Sequence, residues 1–219
     1  MQIVFDFLAG DIAFEDFWRA FEKNPEIGQW LDSIGNFKEE KPRNYPRDSH
    51  LQLLYGVIRN VYDGHVLKLM EISNHPDPET HHYSAFEKYT MFASVAATLL
   101  TAYPDARCTR MYKQDYDFFE KAVSQSMGGK EVETYIEQIL EQFPRTMKAA
   151  DRVKAGRAAI QEAFHIHDRK FPSWPQEPDW PMGKNSPMEY LGRHKDGDLV
   201  QLRFRDVDTG EEKVVEQFY

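Results

Sequence analysis

The chain has 219 residues, 41% of them hydrophobic and 14% aromatic, and its 27 Lys and Arg face 36 Asp and Glu for a net charge of −9. That apolar content can build the core of one domain, or of a domain with a small appendage, while the surplus of carboxylates repels phosphate backbones and argues against nucleic acid as a direct ligand. No apolar run reaches the roughly 18–20 residues that a bilayer crossing needs, and the single Cys108 rules out an internal disulfide or a Cys-x-x-Cys metal pair.

The opening MQIVFDFLAGD has no basic segment and meets Asp6 before an apolar stretch is complete, which reads as a cytoplasmic chain without a targeting segment. Phe14, Phe17, Trp18 and Phe21 then follow the i, i+3, i+4, i+7 rule of an amphipathic helix. Asn24-Pro25 restarts the chain as N-cap and first helical residue, and Ile27, Trp30, Leu31 and Ile34 repeat the spacing until Gly35. Residues 36–48 are polar and broken by two prolines, so a loop is expected. From Ser49 the positions Leu51, Leu54, Tyr55, Ile58, Val61 and Tyr62 again fit a helix, continuing toward Ile72.

After Pro76 and Pro78, Ser84 and Glu87 have the spacing of a capping box, ahead of a helix through Tyr89, Phe92, Val95, Ala96, Leu99 and Leu100. Helices are further expected near 109–126, 130–142 and 145–166, separated by Gly128-Gly129 and Pro144, which makes six to eight in the first 168 residues. Beyond residue 168 the pattern changes. SWPQEPDWP at 173–181 is neither periodic nor flexible, and reads as a rigid connector whose Trp174 and Trp180 either anchor it to the helices or face a partner. Residues 188–193, 199–205 and 213–219 then alternate as strands around KDGD and DVDTG turns. The expected fold is mainly helical α+β: a helical domain at 1–168, a Trp/Pro-rich connector at 169–187, and a three-stranded antiparallel β-meander at 188–219. So small a sheet should dock on the helices.

Two Glu-x-x-His pairs, Glu79 with His82 and Glu162 with His165, have the spacing used by di-metal carboxylate sites on facing helices. They define an alternative reading as a metal-dependent enzyme. Against it, Pro76 and Pro78 precede the first pair and the second closes a helix; for His165 and His167 the negative end of a helix dipole is the favoured reading over a ligand cluster, because on a helix the two point apart. Cys108 lies near a helix start that could lower its pKa, but no histidine partner can be assigned. No Gly-x-Ser-x-Gly, His-Glu-x-x-His or phosphate-binding glycine loop occurs. Arg145, Lys148, Arg152 and Arg157 recur along one segment, where internal pairing is the favoured reading.

Carboxylates give the sharper signal. With Val132, Tyr135, Ile136, Ile139 and Leu140 buried, Glu133, Glu137 and Glu141 would form an exposed like-charge row at i, i+4, i+8, which costs a helix a few tenths of a kcal/mol per pair. Asp11, Glu15, Glu22 and Glu26 belong to a second acidic concentration near the amino terminus. Both sets are candidate surfaces for a basic protein partner.

Residues 174–188, WPQEPDWPMGKNSPM, with residues 206–219, DVDTGEEKVVEQFY, resemble the carboxy-terminal segment of bacterial immunity proteins of polymorphic toxin systems. The shared features are tryptophan-proline pairs, a Pro-Met step, an acidic turn and a strand ending in Gln-Phe. The resemblance spans about 45 residues and implies a cytoplasmic, non-enzymatic inhibitor that binds a cognate toxin, such as a basic nuclease, without cofactor, metal, nucleic acid or membrane.

Overall fold

The structure, a computed structural model, describes residues 1–34, 83–166 and 171–219. The expected loop at 36–48, the helix from Ser49, Glu79, His82 and His167 lie outside the described residues. Seven helices and one sheet are described: α1 Gln2–Ala9, α2 Phe14–Lys23, α3 Pro25–Ile34, α4 Ala85–Ala102, α5 Met111–Ala122, α6 Lys130–Glu141, α7 Ala149–Ala163, β1 Glu189–Asp196, β2 Leu199–Arg205 and β3 Glu212–Phe218. The fold is thus α+β, with a carboxy-terminal three-stranded antiparallel sheet in the order β1-β2-β3. None of these helices is long and apolar enough to cross a membrane. The chain divides into two compact units, Met1–Lys113 and Gln114–Tyr219. The division therefore falls inside α5, rather than at residue 168, because α6, α7 and the second half of α5 share one core with the sheet.

In the first unit the aromatic stripe of α2 is inside: Phe14, Phe17, Trp18 and Phe21 are all buried. Phe7 of α1 stacks on Phe17 at 4.0 Å and meets the edge of Phe92 at 5.5 Å, an arrangement that adds pair energy to area burial. Asn24 caps α3 by accepting the Glu26 amide at 3.1 Å, and Ile27 and Leu31 are buried below it. At α4 the capping box closes in both directions, Glu87 N–H to Ser84 Oγ at 3.1 Å and Ser84 N–H to a Glu87 carboxylate oxygen at 2.8 Å, satisfying two helix-end donors. Tyr89, Phe92, Val95, Ala96, Leu99 and Leu100 are buried along the helix that follows.

In the second unit Phe118 of α5, Val132, Ile136 and Leu140 of α6, and Ile160 and Phe164 at the end of α7 meet Val200, Leu202 and Phe204 of β2. These three alternate along the central strand, so one face of the meander is apolar and the other carries Arg203–Glu212 and Gln201–Glu216 contacts at 2.7 and 2.8 Å. The β1–β2 turn needs only Gly197 and Asp198, with a positive φ of 57° at Gly197 alone, the glycine-first pattern of a II′ hairpin.

The Trp-Pro connector is built into this core. Trp180 is 2% exposed, lies edge-on to Phe164 at 4.9 Å and to Phe204 at 5.5 Å, and donates from Nε1 to the Met188 carbonyl at 2.8 Å. Trp174 stacks on Phe204 at 5.9 Å and donates to the Ser126 carbonyl at 2.9 Å. Space for the crossing comes from Gly128 and Gly129: the Trp180 amide donates to the Gly128 carbonyl at 2.8 Å, and Gly129 holds φ 128°, which a side chain would strain.

Asp206 ties the β2–β3 turn to the connector. Its carboxylate accepts from the Lys184 amide at 2.8 Å and the Asp208 amide at 2.9 Å. The Lys184 bond first, then those of Asp208 and Thr209, hold its pKa below the usual carboxylate value against the opposing effect of burial. A depressed folded-state pKa contributes stability that is complete above the unfolded value of about 3.9 and is lost as pH falls through the folded value. Asp206→Asn should therefore lower the melting temperature at pH 7, with a gap from wild type that narrows below about pH 4. A gap that stays constant on acidification, followed by circular dichroism, would show that the charge is not what matters.

Candidate functional site

The acidic positions of the first unit are already partly matched. Asp11 pairs with Arg107, Glu15 with Lys88 at 2.8 Å and Asp16 with Arg19 at 2.9 Å. Glu22 and Glu26 are exposed and have no ion pair among the described residues.

On α6 the expected row divides. Glu133 and Glu141 are exposed, but Glu137 is buried, 7% accessible and engaged within the fold, so it does not join an outward-facing row. The burial of Glu137 has a simple cause. Glu137 follows Ile136 and precedes Leu140 by three, on the flank of the buried stripe, and burial there depends on what covers the helix and not on spacing alone. Glu133 sits in the first turn, where a carboxylate suits the helix dipole, whereas Glu141 ends the helix with no basic residue in the last turn. The Glu141 charge therefore opposes the dipole at a cost of a few tenths of a kcal/mol.

Of the alternative metal reading only Glu162 and His165 fall among the described residues. Glu162 is exposed on the last turn of α7, while His165 lies beyond that helix with a φ of 55°. Its amide donates to the Glu162 carbonyl at 3.0 Å and that of Ile166 to the Gln161 carbonyl at 2.8 Å, the pair of bonds that closes a Schellman motif. Glu162 and His165 consequently do not share a helical face. Among the described residues no group of three or more His, Cys, Asp or Glu is placed to hold a metal ion.

His165 occupies a left-handed position that glycine usually fills, and its buried Nε2 has no hydrogen-bond partner among the described residues. Left-handed backbone costs a non-glycine residue about 1–2 kcal/mol. His165→Gly is expected to raise the stability of this unit by up to about 1 kcal/mol, after the entropy of glycine is subtracted. A fall in the urea midpoint instead would mean that the imidazole is held by contacts worth more than the strain.

Cys108 is not activated. Burial pushes its thiol up to about 12, with the Arg110 charge acting the other way, so the helix start nearby does not generate a thiolate at neutral pH. The basic residues are paired at one end: Asp115 accepts from Arg145 Nε at 3.0 Å and from Arg152 Nη2 at 3.1 Å. Arg157 donates to the Lys121 carbonyl, and Lys148 is the exposed N-cap of α7.

Sequence reasoning missed a groove of about 1350 Å³ between α5 and α7, within the second unit. Its residues are scattered over positions 114–171 and no local motif joins them. Comparison with protein-family models, with curated proteins and with solved structures finds no match.

Proposed function

We propose that the chain is a non-enzymatic binding protein that neutralises a cognate bacterial toxin in the cytoplasm, as its carboxy-terminal resemblance implies, and that it meets a basic partner with carboxylates its own cations leave uncovered. One observation supports this reading above the others. After Asp11, Glu15, Asp16 and Asp115 have found internal partners, the exposed Glu133 and Glu141 of α6 and Glu22 and Glu26 of the first unit have no ion pair among the described residues. Glu141 is retained at the helix end where its charge is locally unfavourable. Such charges speed capture of a basic surface by steering and favour it over neutral competitors.

The test uses the product of an adjacent gene that the chain captures. Glu133→Lys with Glu141→Lys, and separately Glu22→Lys with Glu26→Lys, should weaken binding by about tenfold or more at low ionic strength for whichever surface makes contact. The melting temperature should hold, and Glu141→Lys should raise it slightly because a cation suits that helix end. Undiminished affinity in both variants at low salt would remove these carboxylates from the interface.

A further inference from the structure

We propose that the groove between α5 and α7 is a second docking site, which takes an acidic, amphipathic helical segment of a protein partner. It follows α7 from Ala149 to Gln161, a length of about 18 Å at 1.5 Å per residue, or some three helical turns. Its volume of about 1350 Å³ exceeds the roughly 300–1,000 Å³ of small-molecule pockets.

The floor is apolar. Phe118, Met127 and Ile160 are buried at its base, and Met147, Val153 and Phe171 are half-buried along its walls. Two methionines give it a surface that adapts to different side chains. Exposed Ala149, Ala150 and Ala158 keep the α7 side low, so that a second helix can approach closely.

Charge settles the chemistry of the occupant. Lys121, Lys154 and Arg157 are exposed at the rim with no carboxylate partner among the described residues, although acids outnumber bases 36 to 27 in the chain. Asp117 is the one carboxylate among the described lining residues. Arg145 and Arg152 at the other end are matched by Asp115. An apolar floor under uncompensated cations complements a helix with apolar residues at i, i+3, i+4 and i+7 and glutamates beside them. Nucleic acid would leave the floor unused, and the chain's −9 charge opposes it.

The experiment titrates the full chain into a fluorescent synthetic peptide of that pattern and into its Glu→Gln twin, following anisotropy. The acidic peptide should bind saturably, about tenfold or more tightly than the twin at low salt, with the difference shrinking between about 0.05 and 0.5 M salt. Lys121→Glu with Lys154→Glu should cost about tenfold without shifting the melting temperature. Ala158→Trp, which fills the groove from an exposed helical position, should weaken both peptides. No binding of the acidic peptide, equal binding of the twin, or unchanged binding by either variant would overturn the proposal, as would binding of phosphatidylglycerol vesicles with none of the peptide. The Glu22, Glu26, Glu133 and Glu141 reversals leave the groove intact, so failure here and failure of the toxin-binding reading are told apart.

Discussion

Replacing Trp180 with alanine is expected to remove about 3–5 kcal/mol from the second unit, a large share of the roughly 5–15 kcal/mol that holds a domain folded. The indole is 2% exposed and is the point where connector, helices and sheet meet, edge-on to Phe164 and Phe204 and bonded through Nε1 to the Met188 carbonyl. Truncation opens a cavity that prolines on either side cannot collapse into, and it also leaves the Met188 carbonyl without its donor. Trp180→Phe separates the two losses: it keeps an aromatic ring but not the donor, and should cost about 1–2 kcal/mol. Urea unfolding followed by near-ultraviolet circular dichroism gives both values. A loss below about 1 kcal/mol for Trp180→Ala would mean that the connector is peripheral to the core.

The second large effect is expected at Arg152. This side chain is 9% exposed, its guanidinium lies 4.0 Å from the centre of the Phe118 ring, and it donates to the Phe143 carbonyl at 3.0 Å and to Asp115 at 3.1 Å. A largely desolvated cation–π contact contributes about 1–2 kcal/mol and an orphaned, partly buried carbonyl costs about 1–2. Asp115 keeps Arg145 as a partner, so no carboxylate is left alone and the larger penalty for a broken buried pair does not apply. Arg152→Ala should therefore destabilise by about 2–4 kcal/mol. Arg152→Lys, which keeps the charge and loses the planar fork, should recover less than half of that. Full recovery by lysine would reduce the residue to a point charge.

Periodicity makes most of the helices readable from the amino-acid order alone. The stripes of α2 and α4 are buried as spacing requires, α3 buries Ile27 and Leu31 and leaves Trp30 and Ile34 half-buried, and both caps, Asn24 and the Ser84–Glu87 box, close where local chemistry puts them. The meander is legible for the same reason: residues 199–205 alternate, and the flanking turns place glycine where φ is positive. By contrast α1 escapes notice, because Ile3, Val4, Phe5, Phe7 and Leu8 spread over all but the Gln2–Asp6 edge of the helix, so the sequence does not single out Val4, Phe7 and Leu8 as the buried face. The helix expected at 145–166 begins only at Ala149, after a turn in which the Met147 amide bonds to the Pro144 carbonyl.

What the sequence hides is whatever long-range packing decides. Spacing sets the azimuth of Glu137 but not its covering. The division within α5 follows from which core each half of that helix joins. Lys121 on α5 comes beside Lys154 and Arg157 only because α7 approaches α5 closely, at Gly156, where an added Cβ would sit 2.8 Å from Phe118. Without that glycine the groove would have a different shape, and nothing near residue 156 in the sequence announces it.

The most direct measurement for the binding reading is bacterial growth with each adjacent gene product expressed alone and together with this chain. Growth arrested by one of those products and restored by the chain, at matched expression of the toxic protein, is the result the reading requires. If no neighbouring product is toxic, or if arrest persists with the chain present and folded, the protein is not the inhibitor proposed here.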